Sequence, residues 1–271
     1  MQAYASILAT DDFLPGILAL ASSLKKAESR FPFICFVTDP ISKASLDQLE
    51  YFNINYKLIT PLVFESKEYL FERFKHIWTK LRLFEQDNFS RLVYLDADMC
   101  LLKNIDELFE INLAQDTIAM APACVCNPEK HFNYPKHWKP ENCFFNGAKK
   151  SFYGNAGFLV LEPNGGLFRK MMCFLKNQEL SHYLFVDQDF LNDFFKAKIT
   201  PLSYVYNTLK TCLVHHPDVC QLKEVKAIHY ILDKPWETNK SPVEAIYKDI
   251  NAVWQDIYRA RFELLQTKVF S

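Results

Sequence analysis

Glycine is scarce in this chain, with 6 residues in 271. None of them builds a Gly-x-Gly-x-x-Gly turn or a Walker loop, the two devices by which a backbone closes around a pyrophosphate or the phosphates of ATP. That argues against a dinucleotide oxidoreductase and a P-loop NTPase. Charge of one sign is missing too. Lys and Arg number 31 against 32 Asp and Glu, a net charge of −1, which gives no general attraction to nucleic acid or anionic lipid. No apolar run approaches the roughly 20 residues of a membrane span. Met1-Gln2-Ala3-Tyr4 lacks a basic segment ahead of an apolar one, so the expected location is cytoplasmic. There is no internal repeat and no low-complexity segment.

Cysteine is not scarce, with 8 residues. Most lie in apolar strand or helix contexts (Cys35, Cys100, Cys173), where a reduced thiol serves as a small hydrophobe, and all are read as free thiols. Cys124-Val125-Cys126, with Cys143 and His131 or His137, has the residue types of a zinc site. Its Cys-x-Cys spacing, however, is tighter than the usual Cys-x₂₋₄-Cys knuckle, and the zinc reading is set aside.

The chain is 49% hydrophobic, enough to bury a substantial core as one large α/β domain or as one domain with a small appendage. It is organised around Arg91-Leu92-Val93-Tyr94-Leu95-Asp96-Ala97-Asp98-Met99-Cys100-Leu101-Leu102. Leu92 to Leu95 read as a buried strand. Asp96 and Asp98 then stand beyond its carboxyl end, where open α/β sheets bind ligands. Two carboxylates so close repel unless a cation lies between them, and hard oxygen ligands favour Mg²⁺ or Mn²⁺. Such an ion could bridge to a diphosphate and neutralise a leaving phosphate. Two enzyme classes place Asp-x-Asp here: nucleotide-sugar transferases, and phosphatases with Asp-x-Asp-x-Thr, in which Asp96 would be phosphorylated and Asp98 would serve as acid/base. Cys100 stands where those phosphatases carry Thr.

Ahead of that strand the pattern is β-α-β-α-β: Tyr4 to Ala9, a helix from Ile17 to Leu24, Phe33 to Thr38, a helix from Ser42 to Phe52, and Tyr56 to Ile59. Parallel strands and a nucleotide-binding half are expected. Thr10 and Asp11 fall at the first strand-to-helix crevice, where they could hold a base or ribose, or Asp11 could simply cap the helix. Glu68 to Asp87 reads as a helix with Tyr69, Phe71, Phe74, Ile77, Trp78, Leu81 and Phe84 on its apolar face. Of its cations Lys75, Lys80 and Arg82, one could reach a phosphate. From Pro122 to Tyr153 the periodicity dissolves into an aromatic-rich segment, expected to be an ordered acceptor lid.

Asn155-Ala156-Gly157 enters a further buried strand, with Asn155 turning the chain or holding a sugar hydroxyl. Asp187 and Asp189 open a helix, where complementing its dipole would suffice to explain them. His229 ends a strand spanning Val225 to Tyr230 and is either a satisfied core histidine or, with the Asp pair, a third metal ligand, with Lys234 near a phosphate. Ser241-Pro242-Val243-Glu244 has the form of a capping box. It opens a terminal amphipathic helix with Val243, Ile246, Ile250, Val253, Trp254 and Ile257 on one stripe, read as core packing first and a partner or homodimer surface second.

Taken in order, these segments resemble family 8 glycosyltransferases, the glycogenin and galactinol synthase group. The likeness runs from Thr10 to Trp236. It rests on Leu8-Ala9-Thr10-Asp11-Asp12 through Ser22-Ser23-Leu24-Lys25, on Thr79-Lys80-Leu81, and on Tyr94-Leu95-Asp96-Ala97-Asp98 through Asn104-Ile105-Asp106-Glu107-Leu108-Phe109. Asn155-Ala156-Gly157, Asp187-Gln188-Asp189-Phe190-Leu191-Asn192, Tyr206-Asn207, and His229-Tyr230 with Lys234-Pro235-Trp236 complete it. The resemblance implies a GT-A fold, with a mixed central sheet flanked by helices over residues 1–240 and the terminal helix of residues 241–271 packed on it. It also implies a UDP-hexose donor, a hydroxyl acceptor, Mn²⁺, and retention of anomeric configuration. On matching positions Asp96, Asp98 and His229 would bind Mn²⁺ (or Mg²⁺), and Leu8, Thr10 and Asp11 the uridine. Lys80 and Lys234 would meet the phosphates, and Asn155, Ala156, Asp187 and Gln188 the sugar, with Asp187 and Gln188 at the reacting centre.

This chain departs from the pattern in three places. Phe13-Leu14 stand where the family often has a Tyr for the uracil. No Gly lies between His229 and Lys234. No Tyr lies between Asn207 and His229, which argues against the self-priming of glycogenin. The Asn155-Ala156-Gly157 and Gln188-Asp189-Phe190-Leu191-Asn192 variants point towards galactinol synthases and a small polyol acceptor such as inositol. A non-enzymatic UDP-sugar binding module is the rival outside the enzymes.

Overall fold

The computed structural model describes residues 1–64, 72–147 and 152–266. Its first half alternates strand and helix: β1 (Gln2–Leu8), α1 (Leu14–Lys26), β2 (Phe33–Thr38), α2 (Lys43–Tyr51), β3 (Asn55–Ile59) and, after a 3-10 helical run over Glu72–Glu85, β4 (Arg91–Leu95). There follow β5 (Met99–Leu101), β6 (Ile118–Pro122), β7 (Gly154–Leu161), α3 (Gly165–Lys176), α4 (Asp187–Phe195), β8 (Ile199–Pro201), β9 (Thr208–Leu209), α5 (Lys210–His215), β10 (Ala227–His229) and α6 (Lys248–Arg259).

The main sheet has seven strands in the order β3-β2-β1-β4-β7-β6-β8. β7 runs antiparallel to β4 and β6, and every other pairing is parallel. The sheet is thus mixed, and helices cover both faces over two large apolar clusters. β4 lies at its centre and all five of its residues are buried, Leu92 to Leu95 as their apolar run requires. β1 has β2 on one side and β4 on the other. The chain therefore leaves the carboxyl ends of β1 and β4 in diverging directions, and the crevice between them is the switch point at which α/β sheets take ligands. A small second sheet, β5-β10-β9, crosses that mouth and sets His229 opposite Met99.

Two expectations about local structure change. The expected helix ahead of β4 is 3-10 over Glu72–Glu85, its first expected residues lying outside the described ones. A three-residue repeat stacks Trp78, Leu81 and Phe84, all buried, on one line. The capping box is also absent: Ser241 makes no side-chain cap, and its amide donates to Asp233 instead, at 2.6 Å. Glu244 is drawn away by Lys210, a fully buried ammonium whose Nζ lies 2.6 Å from Glu244 Oε1. A buried cation without a partner costs more than a lost cap. Val243 and Ile246 consequently face solvent, and only the later part of the stripe, Trp254 and Ile257, is buried. It lies against α1, whose Ser22 hydroxyl donates to the Ile257 carbonyl at 3.0 Å. Cys173, expected among apolar contexts, is exposed.

Candidate active site

Both acids of Asp96-Ala97-Asp98 are held by their own backbone. Asp96 N–H donates to the Gly157 carbonyl at 2.8 Å and Tyr230 N–H donates to the Asp98 carbonyl at 2.9 Å, which ties the turn after β4 to β7 on one side and to the end of β10 on the other. Two of the scarce glycines make this closeness feasible. A Cβ on Gly16 would stand 2.2 Å from the Ala97 carbonyl oxygen, and one on Gly157 would stand 2.2 Å from His229 Cε1. Neither position has room for alanine.

His229 Nε2 lies 3.2 Å from Asp98 Oδ1 and 3.9 Å from Asp96 Oδ2. Its other ring nitrogen, Nδ1, is 3.0 Å from Asn207 Oδ1. The direction of that bond follows from a chain of side chains reaching back to a carboxylate. Tyr153 OH donates to Asp189, Gln188 Nε2 donates to Tyr153 at 3.0 Å, and Asn155 Nδ2 donates to Gln188 Oε1 at 2.8 Å. Asn207 Nδ2 then donates to Asn155 Oδ1 at 2.8 Å. Asn207 must therefore accept through its oxygen, so Nδ1 carries the proton and Nε2 presents a lone pair to the two carboxylates. Three negative or electron-rich atoms aimed at one point repel unless a cation joins them. The set Asp96, Asp98, His229 fits a divalent metal.

Two lysines border this point. Lys234 Nζ sits 2.5 Å from Asp98 Oδ2 and 5.8 Å from the centre of the Phe13 ring. Burial alone would raise the Asp98 pKa, but the Lys234 ammonium beside it outweighs burial and holds the carboxyl below the ordinary range. Lys80, buried, is engaged on protein acceptors: the Ala156 carbonyl at 2.9 Å, Asp96 Oδ1 at 3.1 Å and Asp187 Oδ2 at 2.7 Å. Burial opposes its charge, yet the two carboxylates push its pKa up. For Asp187 the balance goes the other way. Desolvation and the Asp96 charge exceed the pull of Lys80, and its carboxyl is pushed up to about 6. Val186, immediately before it, takes φ 50° and ψ −111°. That is a strained backbone for a β-branched residue, and it sits where α4 begins and aims Asp187 and Gln188.

These groups line one cavity of about 280 Å³. Thr10, Lys80, Asp96, Asp98, Asn155, Ala156, Asp187, Gln188, His229 and Lys234 all reach its wall. Leu8 and Asp11 are not part of that wall. Leu8 is fully buried in the core, with Ala9 lining the cavity in its place. Asp11 turns outward to the start of α2, accepting from Ser42 Oγ at 2.9 Å, Ser42 N at 3.1 Å and Ser45 Oγ at 2.5 Å. These bonds, that from Ser45 above all, lower its pKa. It is a tether between two helices, as a capping residue would be. The far wall comes from the segment after β6: Glu129, His131, Tyr134 and Trp138. Trp138 lies parallel to Phe185 at 4.3 Å.

Asn207, Tyr153 and Asp189 escaped the sequence reading as members of the site. Asn207 stood within a motif but without a role, and Asp189 was sufficiently explained by a helix dipole. Only the three-dimensional chain of amides connects them to His229.

An α/β sheet with a carboxylate–histidine cluster and two lysines at its switch point defines a GT-A nucleotide-sugar transferase. The chain matches Glycosyl transferase family 8 over residues 5–240 and belongs to that family. It is an enzyme of the UDP-sugar-dependent hexosyltransferase kind. Among curated relatives, galactinol synthase 1 of Solanum lycopersicum is 31% identical over 271 residues, covering 94% of this chain and 81% of the relative. Galactinol synthase 2 of Arabidopsis thaliana is 30% identical over 276 residues, covering 95% and 81%. Among solved structures, the galactosyltransferase LgtC in complex with donor and acceptor sugar analogues superposes with a TM-score of 0.65 at 17% identity, covering 96% of each chain. The Streptococcus pneumoniae glycosyltransferase GlyE gives 0.58 at 18%, covering 97% of this chain and 64% of its own. Family membership leaves the phosphatase reading without support. Among the described residues, no helix is long and apolar enough to cross a membrane.

Proposed function

We propose that this enzyme is a retaining, Mn²⁺-dependent transferase that moves a hexose from UDP-galactose or UDP-glucose to a hydroxyl of a small polyol, with inositol as the first candidate acceptor. The observation that carries the reading is the convergence of Asp96, Asp98 and the Nε2 lone pair of His229 on one side of the cavity. Similarity to galactinol synthases over nearly the whole chain supports the polyol acceptor.

On this reading Asp96, Asp98 and His229 hold the metal, with Mg²⁺ as the substitute. Bound there, the metal would neutralise the diphosphate that departs, the costliest charge of the transition state. Lys234 adds a second positive charge at the same face. Lys80 clamps Asp96 to Asp187 and so fixes the distance between the metal end and the sugar end. Thr10 lines the nucleoside end, with the Phe13 ring available to the base where the family often uses Tyr. Asn155, Ala156, Asp187 and Gln188 surround the hexose. Retention then follows in one of two ways: the Asp187 carboxylate displaces UDP from the anomeric carbon and the acceptor hydroxyl, losing its proton, then displaces Asp187, or the acceptor enters on the leaving-group face as the bond to UDP breaks and the diphosphate oxygen takes its proton.

On this reading residues 1–240 are the catalytic domain, residues 122–153 of it, described to 147 and from 152, serve the acceptor, and the terminal segment from 241 packs on α1 within its described part. The half-exposed Val243 and Ile246 offer a homodimer surface. Reduced thiols and the absence of a spanning helix among the described residues support a cytoplasmic location.

The test is UDP release from a panel of UDP-sugars with Mn²⁺ or EDTA, with and without inositol, in wild type and Asp98→Ala. Metal-dependent release from one UDP-hexose, stimulated by inositol and lost in the variant, is the expected result. Donor binding without turnover under every condition would replace the transferase by the binding module.

A further inference from the structure

A second group of metal-type side chains lies outside the residues assigned above. The segment just after β6 supplies Cys124 and Cys126, two short 3-10 turns (Pro140–Asn142 and Phe144–Asn146) flank Cys143, and His216 follows α5 directly. Three separate stretches of chain thus bring three thiols and an imidazole together, with all four ligand atoms within 4.8 Å of one another. His216 Nε2 is 3.3 Å from both Cys124 Sγ and Cys126 Sγ, and Cys124 Sγ is 3.8 Å from Cys143 Sγ.

Those three separations are close to the edges of a coordination tetrahedron. With Zn–S near 2.3 Å and Zn–N near 2.0 Å, tetrahedral angles place two sulfurs about 3.8 Å apart and a sulfur and a nitrogen about 3.5 Å apart. A disulfide would need its sulfurs at about 2.05 Å. We propose that Cys124, Cys126, Cys143 and His216 form a closed structural zinc site.

The surroundings support the donor set. Cys126, Cys143 and His216 are buried among Phe145, Leu209 and further apolar groups. The Phe145 ring stacks on His216 at 5.2 Å, fixing the imidazole plane, and Asn146 Nδ2 donates to Cys126 Sγ at 3.4 Å, an outer contact that favours thiolate. Soft thiolates and imidazole select zinc, whereas the carboxylate-dominated set at Asp96 and Asp98 suits a harder ion. Four protein ligands leave no open position, so the site is structural. It ties the segment after β6 to α5, and that same segment supplies Asn127, Glu129, His131, Tyr134 and Trp138 to the cavity wall. The tight Cys-x-Cys is therefore half of a site whose histidine is neither His131 nor His137 but His216, 73 residues beyond Cys143 (216 − 143).

The test is metal content of the full chain, purified without added zinc and passed through dilute EDTA. The expected result is one zinc per chain in wild type, in Asp98→Ala and in Cys173→Ser, and loss of that zinc in Cys143→Ser and in His216→Ala. Growth with Co²⁺ should give wild type the intense visible absorption of tetrahedral thiolate-bound cobalt. The proposal fails if wild type holds no zinc and denaturing thiol titration finds eight free thiols, if peptide mapping finds a Cys124–Cys143 disulfide, or if the retained zinc disappears in Asp98→Ala. Because the deciding reading is made on wild type, a cysteine variant that does not fold leaves the outcome intact.

Discussion

Two clusters of ligating side chains border the segment that follows β6, and they differ in ligand type, ligand number and surroundings. Asp96, Asp98 and His229 are three ligands on the wall of a cavity of about 280 Å³, two lysines beside them, with room left for a ligand's oxygens. Cys124, Cys126, Cys143 and His216 are four ligands packed into apolar surroundings. An ion held by the first could exchange and lend its charge to a substrate, whereas one held by the second would only tie chain to chain. The histidines are held differently as well. A chain of amides ending at Asp189 polarises His229, whereas a stacked ring steadies His216.

The largest expected effect separates the two clusters at a stroke. Asp98→Ala should lower metal-dependent UDP release by roughly 10³-fold or more, since a Lewis-acid metal contributes several kcal/mol to a transition state and each 1.36 kcal/mol is tenfold. Its zinc content should not change. A variant that retained near-wild-type turnover would remove the metal role of the Asp pair.

Gly157→Ala comes next. The added methyl meets His229 Cε1 at 2.2 Å, so the ring must tilt. Mn²⁺ affinity, followed by titration of activity or by paramagnetic relaxation, should fall by about 10–100-fold. Unchanged affinity would mean that the histidine does not ligate.

Asn207→Ala tests the polarised chain without crowding the ring. With no acceptor left for Nδ1–H, the tautomer is no longer enforced, and a loss of about tenfold in Mn²⁺ affinity is expected. Asn207→Asp, which keeps the acceptor, should restore most of it. Equal loss in both would point to packing rather than tautomer control.

The smallest effect is a control on stability alone. Asp106, a member of neither cluster, accepts from Tyr4 OH at 2.7 Å and from Arg30 N and Nε at 3.0 and 3.1 Å. Burial acts to raise its pKa, but these bonds prevail and hold it below 3.8. A carboxyl lowered on folding contributes stability that is present above its unfolded pKa and lost as pH falls through its folded one. Wild type should therefore lose stability below about pH 4, and Asp106→Asn should lose about 1–3 kcal/mol near neutrality while flattening that acid limb. Denaturant unfolding against pH reads this directly, and neither metal should change.

Much of the primary site was legible because its signals are local. The apolar run Leu92 to Leu95 followed by Asp96 and Asp98 states both the strand and what stands at its end. His229 and Lys234 could be joined to it only through the order of motifs, and the structure places them 3.2 Å and 2.5 Å from Asp98. Asp11 illustrates the limit. Its position after β1 suits a ligand contact and a cap equally well, and the nearness of Ser42 and Ser45 across the loop decides for the tether. Glu244 is similar: its spacing from Ser241 suits a capping box, but the buried Lys210 lies on a distant helix and no local pattern announces it.

The α/β alternation, the central buried strand and the acids at its carboxyl end follow from the order of residues alone, because strand period, apolar runs and short turns are properties of neighbouring residues. Only the tertiary structure decided which way the His229 imidazole presents its lone pair, that Lys80 clamps Asp96 to Asp187, and that His216 closes on Cys124, Cys126 and Cys143. Each of these depends on groups brought within a few ångströms from remote parts of the chain. Coulomb energy, hydrogen-bond direction and metal coordination depend on that separation in space, whatever the distance along the sequence.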